Sequence, residues 1–316
     1  MRILVATPAS RGSRKGNRVT ALRWAGCLRS LGHRVGLVEE WDGQPCDVLV
    51  ALHATKSHAS AARYRARRPD APLVVAMAGT DLYQDLPDSP EARSTLALAT
   101  RITVLQPLGI EALPAEFRSL ARPIVQSARA VPPRPAPPGV FQVCLLAHLR
   151  AVKDPFLAAA ALRRIPARSH VRVVHLGASL DAGAGARARA AMAEDPRYQW
   201  RGDRPRREAL ATLAGSALLL VTSRLEGGSN AVSEALAAGV PVLSTRVDGS
   251  VGVLGPGYPG FYPVGDAGEL ARLLLRAEED TAFLDSLRAE VSRLRHLVEP
   301  AREREAWRAL LEEIAP

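Results

Sequence analysis

Short β-rich runs alternate with segments of helical period along almost the whole chain, and the alternation breaks once, at VPPRPAPPG over residues 131–139. Before the break the runs fall at 2–6, 35–39, 47–52, 73–77 and 102–105; after it they fall at 141–147, 171–177, 217–223 and 240–244. Strands that alternate with helices build a parallel sheet covered on both faces, so the chain reads as α/β. Five prolines in nine residues cannot continue a helix or a central strand. The break is therefore a linker, and a length of 316 residues suits two domains of about 150 each.

The expected domains are 1–135 and 136–298, two similar α/β halves, with a C-terminal helix over 299–316 that either packs back across to the first or caps the second. In the first half the clearest helix is 17–31, where Val19, Leu22, Ala25, Leu28 and Leu31 recur at spacing three and Gly32 supplies a stop. In the second, helices are expected at 154–163, 206–214 and 230–238. The alanine-rich stretch 181–194 suits a surface helix. The tail 281–313, rich in Leu, Glu and Arg, reads as amphipathic helix interrupted at Pro300.

No run approaches the roughly 20 apolar residues of a membrane span, and MRILVATPAS enters a strand-like run directly, so a cytoplasmic protein without stable membrane association is expected. Cys27, Cys46 and Cys144 lie far apart without CxxC spacing and are expected to be buried thiols. His53 and His58 lack an HExxH context, so no metal site is expected. The net charge of +10 favours anionic partners. Aromatic content of 4% offers no base-stacking platform, which makes nucleic acid the weaker candidate. Oligomeric state is not legible.

The most informative segment follows the run ALLLVTS. It reads Arg224-Leu225-Glu226-Gly227-Gly228-Ser229-Asn230 and enters a helix carrying Glu234. A strand, a glycine pair and a helix start present backbone N–H groups and a positive dipole end to a crevice, where a diphosphate fits. Ser229 or Asn230 can cap the helix and donate to phosphate oxygen. Glu226 and Glu234, with seven residues between them, offer two carboxylates to hydroxyl groups, Glu234 to a ribose diol and Glu226 to a sugar.

With EALAAGVPV continuing from Glu234, this E-x7-E segment resembles the signature of the family 4 retaining glycosyltransferases of the GT-B fold. A glycine-bearing N-terminal loop, a helix ending in LGHRV and the segment GDRPRREAL extend the resemblance over most of the chain. It implies two Rossmann-like domains facing a central cleft, the C-terminal helix packed back on the first, and a UDP-sugar as co-substrate with no further cofactor. It also implies that Glu234 holds the nucleotide ribose and Glu226 the donor sugar. Gly227, Gly228, Ser229 and Asn230 follow as donor contacts, Gly202 and Arg204 lie by the uracil, and Gly16 and Asn17 join the donor set from the first domain. The segment His148-Leu149-Arg150-Ala151-Val152-Lys153 supplies two cations for the leaving diphosphate, Lys153 and Arg150. The family's arginine position is here His148, and its usual histidine near the sugar is here Ala78.

On the acceptor side, residues 11–18 hold four basic residues and two glycines, another potential anion cradle. Arg11, Arg14, Lys15, Lys56 and Thr80 are the candidate acceptor residues, and His53 the candidate to bind or deprotonate a nucleophile. Together GNRVTALRW, HATKSH, AGTDLY and HLRAVKDP resemble a specialised branch of these glycosyltransferases, which implies transfer of a sugar, N-acetylglucosamine, from a UDP-sugar to selenophosphate. Alternatives within the same fold are a lipid or polysaccharide hydroxyl acceptor and a UDP-sugar epimerase or phosphorylase. Outside it stands a basic nucleic-acid-binding module.

Overall fold

In the computed structural model, which describes residues 1–12 and 16–315, the apolar runs form two six-stranded parallel sheets. Each sheet belongs to its own compact unit, Met1–Ser127 with Pro300–Pro316 and Ala128–Glu299. The first carries β1 (Arg2–Ala6), β2 (Arg34–Val38), β3 (Val48–Leu52), β4 (Leu73–Ala76), β5 (Arg101–Val104) and β6 (Ala121–Pro123), in the order β2-β1-β3-β4-β5-β6. The second carries β7 (Phe141–Leu146), β8 (Val171–Leu176), β9 (Tyr198–Trp200), β10 (Leu218–Val221), β11 (Val242–Thr245) and β12 (Phe261–Tyr262), in the order β12-β11-β10-β7-β8-β9. The inner strands β3, β4, β10 and β11 are buried at every residue, as expected of parallel strands covered on both faces.

Strand order fixes where each unit can bind a ligand. In the first unit β1 pairs with β2 on one side and β3 on the other, so the crossovers diverge between β1 and β3. In the second, β7 lies between β10 and β8, and counted within the unit this is the doubly wound order 3-2-1-4-5-6. Crossovers that leave to opposite faces open a crevice at the carboxyl ends of the two central strands. Those ends are Ala6 and Leu52 in the first unit, and Leu146 and Val221 in the second.

The C-terminal helix Pro300–Ile314 completes the first unit. Trp307 meets Trp24 of the helix Gly16–Ser30 edge to face at 5.1 Å, and Leu310, Leu311 and Ile314 join Leu28, Val48 and Val50 in one core. Glu303, only 2% exposed, accepts from Trp24 Nε1 at 3.0 Å and from the Ser127 backbone N–H at 3.1 Å. Pro300 opens this helix rather than kinking one, since its missing N–H costs nothing in a first turn. The break before it is the 3₁₀ turn Arg295–Val298.

Local chemistry accounts for the other differences from the sequence reading. The helix after β7 spans only Leu157–Leu162, because Asp154 takes a left-handed conformation with φ 41° and Pro155 follows it. Strands β6, β9 and β12, two or three residues each, are too short to show a period. Ahead of the tail lies the helix Ala267–Glu279, capped by Asp266 and buried along Leu270, Leu273, Leu274 and Ala277. The three cysteines are free; Cys46 and Cys144 are buried, whereas Cys27 is half-buried. Among the described residues no helix is long and apolar enough to cross a membrane.

Candidate functional site

At the crevice of the second unit, the loops leaving β7 and β10 are tied to each other. Thr222 Oγ1 donates to the Lys153 carbonyl at 2.7 Å, and the Arg224 N–H donates to the Val152 carbonyl at 2.9 Å. Arg224 and Asp154 add an ion pair at 2.7 Å. This clamp delivers the centre of the site: Lys153 Nζ lies 2.6 Å from Glu226 Oε1. Glu226 is 8% exposed, so its charge is held by specific donors, Lys153 and the Ser223 hydroxyl at 2.6 Å. Both engage Oε1, and among the described residues no hydrogen bond reaches Oε2.

Arg150 sits at the head of the turn Ala151–Lys153 with its side chain exposed, three residues from the lysine. His148 faces elsewhere: its Nδ1 accepts from the Ala178 N–H at 3.0 Å, at the end of β8. Gly177, which the sequence reading passed over, is what brings these strand ends together. A Cβ there would stand 1.9 Å from the Ala147 carbonyl oxygen. Its place at the end of an apolar run is visible in the sequence, but the close approach of Ala147 is not.

Past Glu226, Gly227 is buried and Gly228 half-buried, and neither has a positive φ, so the conformation itself does not demand glycine. Ser229 caps the helix Asn230–Ala238 by accepting from the Val232 N–H, and half-buried Asn230 opens it. Glu234, 7% exposed, pairs with Arg206 Nη1 at 2.5 Å. Arg206 begins the helix Arg206–Ala214 and is a second residue the sequence reading missed. Just before it, Gly202 takes φ 73° and its carbonyl accepts from the Gly177 N–H at 2.9 Å. Arg204 is exposed, with Nε donating to the Arg201 carbonyl at 3.0 Å.

In the first unit the loops leaving β3 and β4 carry His53, Lys56 and Thr80. His53 is 1% exposed and adopts φ 78°, a left-handed conformation that costs of the order of 1–2 kcal/mol for a residue with a Cβ. What holds it there is a buried carboxylate. Asp81, fully buried, accepts the N–H groups of Ala78, Gly79 and Leu82 on Oδ1 and that of Ala54 on Oδ2, and stands 3.9 Å from His53 Nδ1. His53 Nε2 lies 3.2 Å from Thr80 Oγ1 and 3.9 Å from Asp85, which also accepts from Thr55 Oγ1. Burial holds the imidazole below its ordinary value against the pull of Asp81, so it is neutral at neutral pH.

Lys56 is exposed beside it, and Gly16 and Asn17 begin the helix after β1. Arg11 is exposed and its backbone N–H donates to Glu39. Arg14 and Lys15 lie outside the described residues. Asp81 and Asp85 were not picked from the sequence, although Asp81 lies inside the AGTDLY motif that contains Thr80 and Asp85 two residues after it.

Solved structures share this architecture along the whole chain. HepE of Anabaena, solved in complex with UDP-glucose, superposes with a TM-score of 0.77 at 16% identity, covering 99% of this chain and 100% of its own. Sucrose-phosphate synthase of Thermosynechococcus elongatus gives a TM-score of 0.79 at 15% identity, covering 99% and 98%. A glycosyltransferase of Rickettsia africae gives 0.70 at 13%, again covering 99% and 98%. At these identities the likeness establishes the fold, GT-B. No curated protein matches the sequence. The family model described as glycosyl transferases group 1 matches residues 130–293, more than half of the chain and nearly all of the second unit, and the chain belongs to that family.

Proposed function

We propose that this protein is a UDP-sugar-dependent glycosyltransferase, and specifically a selenosugar synthase that transfers N-acetylglucosamine to selenophosphate. The observation that carries the donor half is the Lys153–Glu226 pair at the point where the crossovers of the second unit diverge. A cation and a carboxylate fixed together there suit a donor with an anionic leaving group on one side and a hydroxyl-bearing sugar on the other. HepE, of the same fold, binds UDP-glucose, which supports a uridine nucleotide as the donor.

In this scheme Glu234 accepts from the ribose diol and Glu226 from sugar hydroxyls. Gly227, Gly228, Ser229 and Asn230 surround the diphosphate at a helix start, and Gly202 and Arg204 lie by the base. Selenium attacks the anomeric carbon, the bond from that carbon to the diphosphate oxygen breaks, and the electron pair leaves on UDP, whose charge Arg150 and Lys153 neutralise. The immediate product carries phosphate on selenium, and its hydrolysis gives the selenosugar and phosphate.

The acceptor half rests on the charge of the first unit's loops. Selenophosphate is already ionised and soft, so it needs a cationic seat more than a strong base. Arg11, Arg14, Lys15, Lys56 and Thr80 are assigned to that seat. His53 shapes the seat from beneath Thr80, since an imidazole 1% exposed is a support for neighbouring groups.

Mass spectrometry of products from a panel of nucleotide sugars, each with selenophosphate, thiophosphate or no acceptor, tests both halves. The expected result is UDP release that depends on selenophosphate, with a selenium-containing sugar formed. UDP release that never depends on it overturns the acceptor assignment, and release from no nucleotide sugar overturns the donor assignment.

A further inference from the structure

Glu226 is supported by residues to which none of these roles has been given. The Ser223 hydroxyl donates to Glu226 Oε1 at 2.6 Å, and the Ser223 carbonyl accepts from Thr245 Oγ1, also at 2.6 Å. Both side chains are buried, as expected of groups that serve another residue instead of solvent. From the other side, the helix Asp248–Leu254 packs on the main chain of Glu226 through Gly249. A Cβ on Gly249 would lie 2.2 Å from the Glu226 carbonyl oxygen and 2.7 Å from its Cβ. Gly249 has no positive φ, so space alone selects glycine here.

We infer that Ser223, Thr245 and Gly249 form a positioning device for Glu226. Lys153 alone would leave the carboxylate free to rotate about its terminal torsion, which is broad for an sp² group. A second donor on the same oxygen fixes the carboxylate plane and turns Oε2 toward a ligand. Thr245 holds the backbone from which that second donor springs, and Gly249 sets the height of the Glu226 main chain. A site held to within about half an ångström depends on such support. The inference rests on the reading of Glu226 as the contact to the donor sugar, and it adds that three residues outside the E-x7-E segment determine how well the sugar, as opposed to the nucleotide, is held.

Calorimetric titration with UDP and with UDP-N-acetylglucosamine, together with steady-state kinetics, separates these parts. In Ser223→Ala the expected result is a loss of about tenfold or more in kcat/KM for the UDP-sugar, with the Kd for UDP within about twofold of wild type. Thr245→Val should show the same sugar-selective loss, and Thr245→Ser, which keeps the hydroxyl, should restore it. Gly249→Ala should reproduce the pattern by displacing Glu226. Unchanged kinetics in Ser223→Ala, or equal loss for UDP and UDP-sugar, overturns the inference while leaving the donor reading intact. Wild-type protein that binds neither compound overturns both.

Discussion

Replacing His175 by glutamine is expected to remove a large part of the acid sensitivity of the second unit. His175 stands on β8, buried, with Nε2 donating to the Ala147 carbonyl at 2.8 Å and Nδ1 accepting from the Tyr198 hydroxyl at 2.7 Å. It thus pins the end of β7, the strand whose loop carries Arg150 and Lys153. Burial pushes the imidazole down from 6.5 to about 4, outweighing the bond to Ala147 that favours the charged form. The unfolded chain therefore binds a proton between about pH 6.5 and pH 4 that the folded chain does not, so stability is full above that window and lost as pH falls through it. A shift of this size is worth about 2 kcal/mol at pH 5 and about 3 kcal/mol below pH 4.

Glutamine can donate to Ala147 and accept from Tyr198 but does not titrate. The variant should be about 1–2 kcal/mol less stable at pH 7.5, because the amide fills the site less well. Its stability should then fall by about 2 kcal/mol less than that of wild type between pH 7.5 and pH 5. The assay is amide hydrogen exchange over β7 and β8 in the full chain, corrected at each pH for the intrinsic rate and read as a local opening free energy. Parallel losses in wild type and variant over this range would refute the assignment of the proton to His175.

Three further outcomes follow from the geometry. Glu234→Ala should weaken UDP binding about 10- to 100-fold by calorimetry, the worth of a charge-assisted bond to the ribose; retained affinity removes Glu234 from the nucleotide site. Lys153→Ala should lower kcat about 100- to 1,000-fold with a smaller change in KM, measured by UDP release; an unchanged kcat refutes its role at the leaving group. Glu303→Ala strips the partner from Trp24 Nε1 and the Ser127 N–H and should cost about 2–3 kcal/mol in thermal or urea unfolding; a loss under about 0.5 kcal/mol refutes its role in docking the C-terminal helix.

The architecture was legible because parallel strands covered on both faces are apolar without interruption, and because proline and glycine mark where they stop. The helices Arg206–Ala214 and Asn230–Ala238 fall on the residues read from the sequence. Strand order was not legible, since an alternating pattern fits any right-handed winding. Hence Lys153 and Glu226, 73 residues apart, could each be selected from a local motif while their 2.6 Å contact could not. The supports were hidden for a different reason. Gly177 and Gly249 matter through backbone atoms of distant segments, and a glycine in sequence does not say what approaches it. Arg206 looked like one of many surface arginines until its pairing with buried Glu234 distinguished it.

That last point bears on how the charge of this chain should be read. Its 42 basic residues include only three lysines, Lys15, Lys56 and Lys153. Several arginines are bound into the fold. Arg65 donates to the carbonyls of Ala71 and Leu98 and to the Thr100 hydroxyl, and Arg197 bridges Asp195 to the carbonyls of Leu162, Ile165 and Pro166. A planar fork with five donors is suited to tying together several fixed acceptors. An ammonium group is a compact, mobile charge suited to meeting a ligand that arrives and leaves. The two lysines among the described residues stand on loops leaving β3 and β7, central strands of their sheets, and the third follows β1 in sequence. A net charge of +10 is therefore a poor guide to partners when taken as a sum. Under the proposed function, the basic residues that meet ligands are the few set at the carboxyl ends of the central strands, whereas arginines such as Arg65 and Arg197 hold the scaffold that places them.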